Sequence, residues 1–318
     1  MNWERLRSNP ATRWWDSVTR PPEPVDAKGP WSLGLAKWGR VLARAVRGAA
    51  KDDFGIIASS IAFAAFLSIL PLLSVVSLGY GALVPRDVVL SNVSTLTHIL
   101  PESARSLVED WLSKSLARRD GHGAALVVSI GLTLFSGRRV GRSLLRGMNI
   151  ASGIEQDRGA LAAQAVALVT VVAGALLLFA ALISLSGLAI LGNAIPQAIP
   201  WAANAFQQVL WATLTLGPSL ALLLVYRYLP ARAAVPWRWA LPGALFAVAA
   251  WLAATLAFQL YVTRLAHYDS IYGSLSAIVV LQIWLMLSAY ILLFGAKVNA
   301  EAMRQVGLSA PHKPASMS

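Results

Sequence analysis

The chain has 318 residues, 57% of them hydrophobic and only 13% charged, with a mean hydropathy of +0.60. Soluble domains run at about 45–50% apolar and about 25% charged, so a water-soluble globular enzyme is excluded and a membrane protein expected. The formal charge of +12 could suggest nucleic acid, yet membrane proteins concentrate Lys and Arg on cytoplasmic flanks, and the absence of cysteine removes disulfides, thiolate metal sites and a cysteine nucleophile.

Residues 1–53 hold no apolar core of signal-peptide length, so the first span reads as an uncleaved anchor. The proline-rich stretch Arg20 to Pro30 marks residues 1–30 as a disordered cytoplasmic tail. From Trp31 the pattern changes. Trp31, Leu35, Trp38, Leu42, Ala45 and Ala49 recur at helical spacing, beside a second stripe of Lys37, Arg40, Arg44, Arg47 and Lys51. Residues 31–53 therefore predict a basic amphipathic helix lying on the anionic headgroups of the cytoplasmic leaflet, with Lys37, Arg40, Arg44 and Arg47 as its membrane-surface contacts. The plainer alternative is a helix packed under the bundle with its charged face in water.

Residues 54–303 predict an all-α membrane domain of six transmembrane helices, since a span needs about 20 apolar residues. The candidates are Ile56–Val84, Ala124 to Gly147, Leu161–Leu191, Phe206–Leu229, Trp239–Val262 and Tyr272–Ala300. The apolar part of the second stops near Ser136. Its helix must continue through arginines or have that half buried in protein. An outer loop over 85–123 carries a helical apolar pattern after Pro101, and residues 304–318 form a cytoplasmic tail. Basic residues divide 21 to 6 between the two sides, placing both termini in the cytoplasm.

Chemistry is sparse. The four histidines form no metal-ligand pattern, no phosphate-binding G-x-x-x-x-G-K occurs, and neither a cofactor nor a catalytic residue is expected. Gly79-Tyr80-Gly81 lacks the Thr-Val of a potassium filter and reads as an ordinary helix end. Serines such as Ser59, Ser60, Ser68 and Ser276 read as helix-packing positions. Lys297 and Glu301, one turn apart, read as a local pair.

The strongest signal lies in the second span. Arg138, Arg142 and Arg146 are four apart with Arg139 beside them, a spacing that presents several guanidiniums on one face for phosphate or carboxylate, as on a lipid headgroup. The alternative is snorkelling that only fixes topology. Pro71 in the first span and Gly217-Pro218 in the fourth mark helix interruptions at matching places if the spans form an inverted three-plus-three arrangement, the pattern of a midplane substrate path in transporters.

Tyr226-Arg-Tyr-Leu-Pro230, Val235-Pro-Trp-Arg-Trp-Ala-Leu-Pro-Gly243, the stretch Tyr272 to Trp284 and Gly295-Ala-Lys-Val-Asn-Ala-Glu301 form an ordered series. With Ala62 to Pro71 and Gly137 to Asn149, they make residues 45–303 resemble the YihY/virulence factor BrkB family of bacterial inner-membrane proteins, once labelled ribonuclease BN. Lys297 departs from the acidic or amide residue that members often carry there. The resemblance implies six spans, an inner-membrane location and cytoplasmic termini. RNA hydrolysis would need metal ligands or an acid–base pair, and the sequence offers neither. The expected function is translocation of an anionic, lipid-like envelope substrate, with membrane lipids and their anionic headgroups as partners and no nucleic acid. A non-transporting envelope scaffold or assembly factor is the alternative.

Overall fold

The computed structural model describes residues 24–26, 29–75, 122–154, 159, 161–170, 172–174, 176, 205, 208, 219–231, 235–264 and 275–308. Among these the regular structure is entirely helical. A short 3-10 turn over Pro30–Ser32 precedes α1 (Leu35–Lys51), α2 (Phe54–Val75) and α3 (His122–Ser152). Two shorter apolar helices follow, α4 (Leu161–Gly174) and α5 (Ser219–Tyr228). The long helices α6 (Trp237–Arg264) and α7 (Ser276–Arg304) complete the series.

Three of them are long and apolar enough to cross a membrane: Phe54–Val75, Trp237–Tyr261 and Ile278–Arg304. Large apolar side chains face outwards along them, among them Ile56, Phe63, Leu245, Leu252 and Leu256, as a lipid solvent requires and water would not tolerate in such number. The chain is thus a multi-pass, all-α membrane protein. Most of the expected third and fourth spans, the loop 85–120, the Gly79-Tyr80-Gly81 run and the Gly217-Pro218 step lie outside the described residues, as does most of what an inverted repeat would superpose.

The last helix is the hub. It packs against α1, α2, α3 and α6, with Phe54 edge-on to Tyr290 and Trp251 edge-on to Trp284. Small residues allow close approach. Gly243 on α6 and Gly295 on α7 meet backbone to backbone, with no room for a Cβ on either, a close packing that suits helices in lipid, where van der Waals contact replaces the hydrophobic drive. Gly147 of α3 likewise fits against Leu293 and Ile57.

Several hydroxyls on the apolar helices are satisfied locally. The hydroxyls of Ser59, Ser68, Thr133 and Ser136 each donate to the carbonyl four residues back, at 2.7–2.9 Å. They bond back within their own helix, and Ser59 also lies 3.1 Å from Met286 Sδ on α7. α2 runs through Pro71 to Val75, where the proline removes one intrahelical donor.

α1 and α2 meet at a sharp corner. Asp52 closes α1, and Asp53 adopts φ +49, a left-handed conformation that aspartate tolerates better than most residues. Its carbonyl then accepts from Ile56 and Ile57 to open α2. The amino-terminal segment is also tied down before residue 30: the Val25 N–H donates to the Gln305 carbonyl at 3.0 Å, and Pro30 is buried with Trp38 Nε1 donating to its carbonyl. Val25 thus finds its partner just past the end of α7, and Pro30 finds its own in Trp38 of α1.

Candidate functional site

The second predicted span resolves its ambiguity by continuing. α3 is one helix of 31 residues that passes directly through the arginines. Its buried side carries Thr133, Gly137, Gly141, Leu145, Met148 and Asn149, with Gly141 pressed against the backbone of Ala167 on α4. The opposite side begins apolar and ends basic. Val128, Leu132 and Phe135 are each at least 52% exposed, and Arg139, Arg142 and Arg146 continue the same exposed sector, as a period of 3.6 residues dictates.

The predicted foursome is thereby re-sorted. Arg138 is partly covered, with its guanidinium 5.9 Å from the Phe135 ring and its Nε shielded without a hydrogen-bond partner among the described residues. Arg139, Arg142 and Arg146 stand open, and no carboxylate pairs with them among the described residues. Three unneutralised guanidiniums at the end of an exposed apolar stripe match the shape of an anionic amphiphile: acyl chain along the first half, headgroup at the second.

A second charged group lies inside the protein. Arg44 is only 8% exposed, which corrects its place among the membrane-surface residues. Its Nε donates to Glu301 Oε2 at 3.3 Å and its Nη2 to Gln305 Oε1 at 2.8 Å. Burial pulls the guanidinium below its usual pKa, and Glu301 opposes that pull. Glu301 Oε1 accepts from Arg304 at 2.9 Å. Lys297 does not pair with Glu301, contrary to the local reading. Its Nζ reaches Asp52 at 2.7 Å, through the space that Gly48 leaves for its methylenes. Lys37 and Arg40 stay partly exposed and Arg47 half-buried on the rim of α1.

Each polar member of Gly295–Glu301 thus serves the architecture. Asn299 accepts from the Gly243 N–H at 2.7 Å and donates to the Ala240 carbonyl at 3.0 Å, holding the turn of α6 around Pro242. Tyr226 donates to the Leu292 carbonyl at 2.9 Å, and Asn149 accepts from the Ala231 N–H at 2.8 Å. These cross-links join α3, α5, α6, α7 and α1. Sequence reasoning missed the Arg44–Glu301 and Lys297–Asp52 pairs because their members stand more than 240 positions apart. The only local hint was a glycine one turn before Asp52.

A sequence model of the family described as Virulence factor BrkB matches residues 45–318. The chain belongs to this family. A ribonuclease-like protein of Bacillus subtilis, YfkH, is 31% identical over 63% of this chain and 73% of its own length. A BrkB-family relative from Photobacterium profundum, named a UPF0761 membrane protein, is 26% identical over 78% of this chain and 76% of its own. Another UPF0761 membrane protein, from Rhodospirillum rubrum, is 40% identical over 28% of this chain and 21% of that relative. No solved structure matches. The BrkB match takes in the arginine stripe and Glu301, and begins inside α1 one residue after Arg44.

Proposed function

We propose that this BrkB-family chain translocates an anionic, lipid-like envelope substrate across the bacterial inner membrane, both termini being cytoplasmic. One observation carries the reading: Arg139, Arg142 and Arg146 are exposed, lack a carboxylate among the described residues, and continue an exposed apolar stripe. A site built only for a soluble anion has no use for the apolar half. The 21-to-6 division of basic residues supports the orientation. Arg138 stacks on Phe135 at the junction of the apolar and basic halves. In this reading the chain is not an enzyme, and YfkH's ribonuclease-like name stays with that protein.

Proteoliposomes carrying fluorescent phosphatidylglycerol test the proposal by dithionite quenching. Wild-type protein should speed inner-leaflet loss over empty vesicles. Arg142→Ala with Arg146→Ala should lower that rate by about tenfold, near the effect of losing a charge-assisted contact worth about 1.5–3 kcal/mol. Wild-type flux equal to empty vesicles would favour a non-transporting scaffold or assembly factor. Cleavage of RNA by the purified protein, abolished by a chelator, would overturn the non-enzymatic part.

A further inference from the structure

The first helix presents three sectors, one of which packs against α7. Val41, Ala45 and Ala49 are buried, and Trp38 and Gly48 lie on the same side. This docked side packs on α7. A second sector, exposed and apolar, holds Leu35 at 91% exposed, with Leu42 and Val46 one and two further rows along and the small Ala36 and Ala50 at its edge. The third holds Lys37, Arg40 and Lys51, with Arg47 half-buried among them. No acidic residue occurs from Leu35 to Lys51. Arg44 stands on the border between the basic and docked sectors, and its charge is taken up by Glu301.

The position of α1 is equally constrained. The Phe54–Val75 span starts three residues after Lys51, so the carboxyl end of α1 stands at the membrane boundary. On that side of the helix, Asp52 bonds to Lys297. On the other side, Val25 bonds to Gln305. Both anchors belong to the last turns of α7, and the Pro30–Ser32 turn packs on α6. A 17-residue helix is about 25 Å long. Tethers at both flanks hold it against the carboxyl end of α7.

We propose that α1 is a bilayer-surface helix whose partner is an anionic leaflet: Leu35, Leu42 and Val46 enter the acyl boundary while Lys37, Arg40 and Lys51 meet the headgroups. A helix at the boundary with an open apolar stripe and an acid-free basic stripe matches a negatively charged interface on both counts. Water would leave Leu35 and Val46 exposed at a cost, and an acidic soluble protein would match only the charges. The docked sector sets the rotation. With Arg44 and Asp52 both tied to α7, α1 cannot turn its apolar stripe elsewhere without breaking buried ion pairs.

The native chain contains no cysteine, so single-site spin labels report on the whole protein. Labels at Leu42→Cys, Val46→Cys and Lys51→Cys are compared in nanodiscs of phosphatidylcholine alone and with one-third phosphatidylglycerol. In anionic discs, labels at 42 and 46 should show at least threefold more oxygen access relative to a water-soluble nickel chelate than the label at 51. That contrast should fall at least twofold in neutral discs. It should fall equally in Lys37→Gln/Arg40→Gln carrying the same labels, whose Arg44 and Asp52 anchors are untouched. Equal chelate access at 42, 46 and 51 would place the stripe in water and overturn the proposal. Shielding of 42 and 46 from both reagents would show a second copy or another protein covering the stripe, and would overturn it too. A contrast unchanged between the two disc compositions would overturn the anionic-leaflet assignment.

Discussion

Arg44 shows how far one side chain's role can depart from its neighbours'. It stands in a stripe of cations at helical spacing, yet it alone of Lys37, Arg40 and Arg44 is buried. A buried guanidinium is tolerable only when paired and hydrogen-bonded, and Glu301 and Gln305 meet that need. Glu301→Ala should therefore cost about 3–5 kcal/mol, because it strands the charge. The double replacement Arg44→Met/Glu301→Leu should recover at least half of that, since no uncompensated charge remains. Thermal unfolding in detergent followed by tryptophan fluorescence checks both. Equal losses in the single and double variants would show that packing rather than charge dominates. The exposed Arg139, Arg142 and Arg146 should behave differently, each Arg→Ala variant staying within about 0.5 kcal/mol of wild type. Stability unchanged beside a lowered flux separates a functional role from a structural one.

Helices in this protein are joined by small residues and by carbonyls that borrow a partner from the next helix. The α6–α7 crossing depends on Gly243 and Gly295 in mutual backbone contact, with Asn299 bonding to the α6 turn that contains Pro242. Gly243→Ala should destabilise by about 1–3 kcal/mol through overpacking, read as a lowered melting temperature. Gly48→Ala should act by a different route. Its methyl takes the space of the Lys297 methylenes, pulling Nζ from Asp52 and loosening the α1–α2 corner, which proteolysis between residues 26 and 52 would report as faster cleavage. The existence of these helices was legible in the sequence, since the apolar runs near 54, 239 and 276 are long enough to span. The ends were less so: α3 and α7 run past the predicted ends at Gly147 and Ala300 to Ser152 and Arg304. Their terminal turns include polar residues, Asn149 and Glu301, that are buried among neighbours, a condition that no local pattern reveals.

For the molecule as a whole, charge distribution and membrane packing bear on one question, which way round the chain sits. If both termini are cytoplasmic, single cysteines replacing Lys28 and Lys313 should react with an impermeant maleimide only from the cytoplasmic face, and one replacing Arg105 only from the opposite face. Labelling of all three from one side would overturn the orientation. The experiment needs no background removal, since the chain has no cysteine of its own.

Composition and periodicity alone determined that this is a helical membrane protein, that its cations are unevenly divided, and that one arginine cluster lies where an apolar run ends too early. Those properties follow from transfer free energy and helical period, which act on neighbours in sequence. Only the tertiary structure decided which cations are open and which are consumed. Arg44 turns inward and Arg138 is partly covered, while Arg139, Arg142 and Arg146 stay outside. Lys297 passes over its near neighbour Glu301 to reach Asp52. The reason is physical: a buried charge is stabilised by whatever opposite charge the packing of helices brings within about 4 Å, and that packing joins residues hundreds of positions apart.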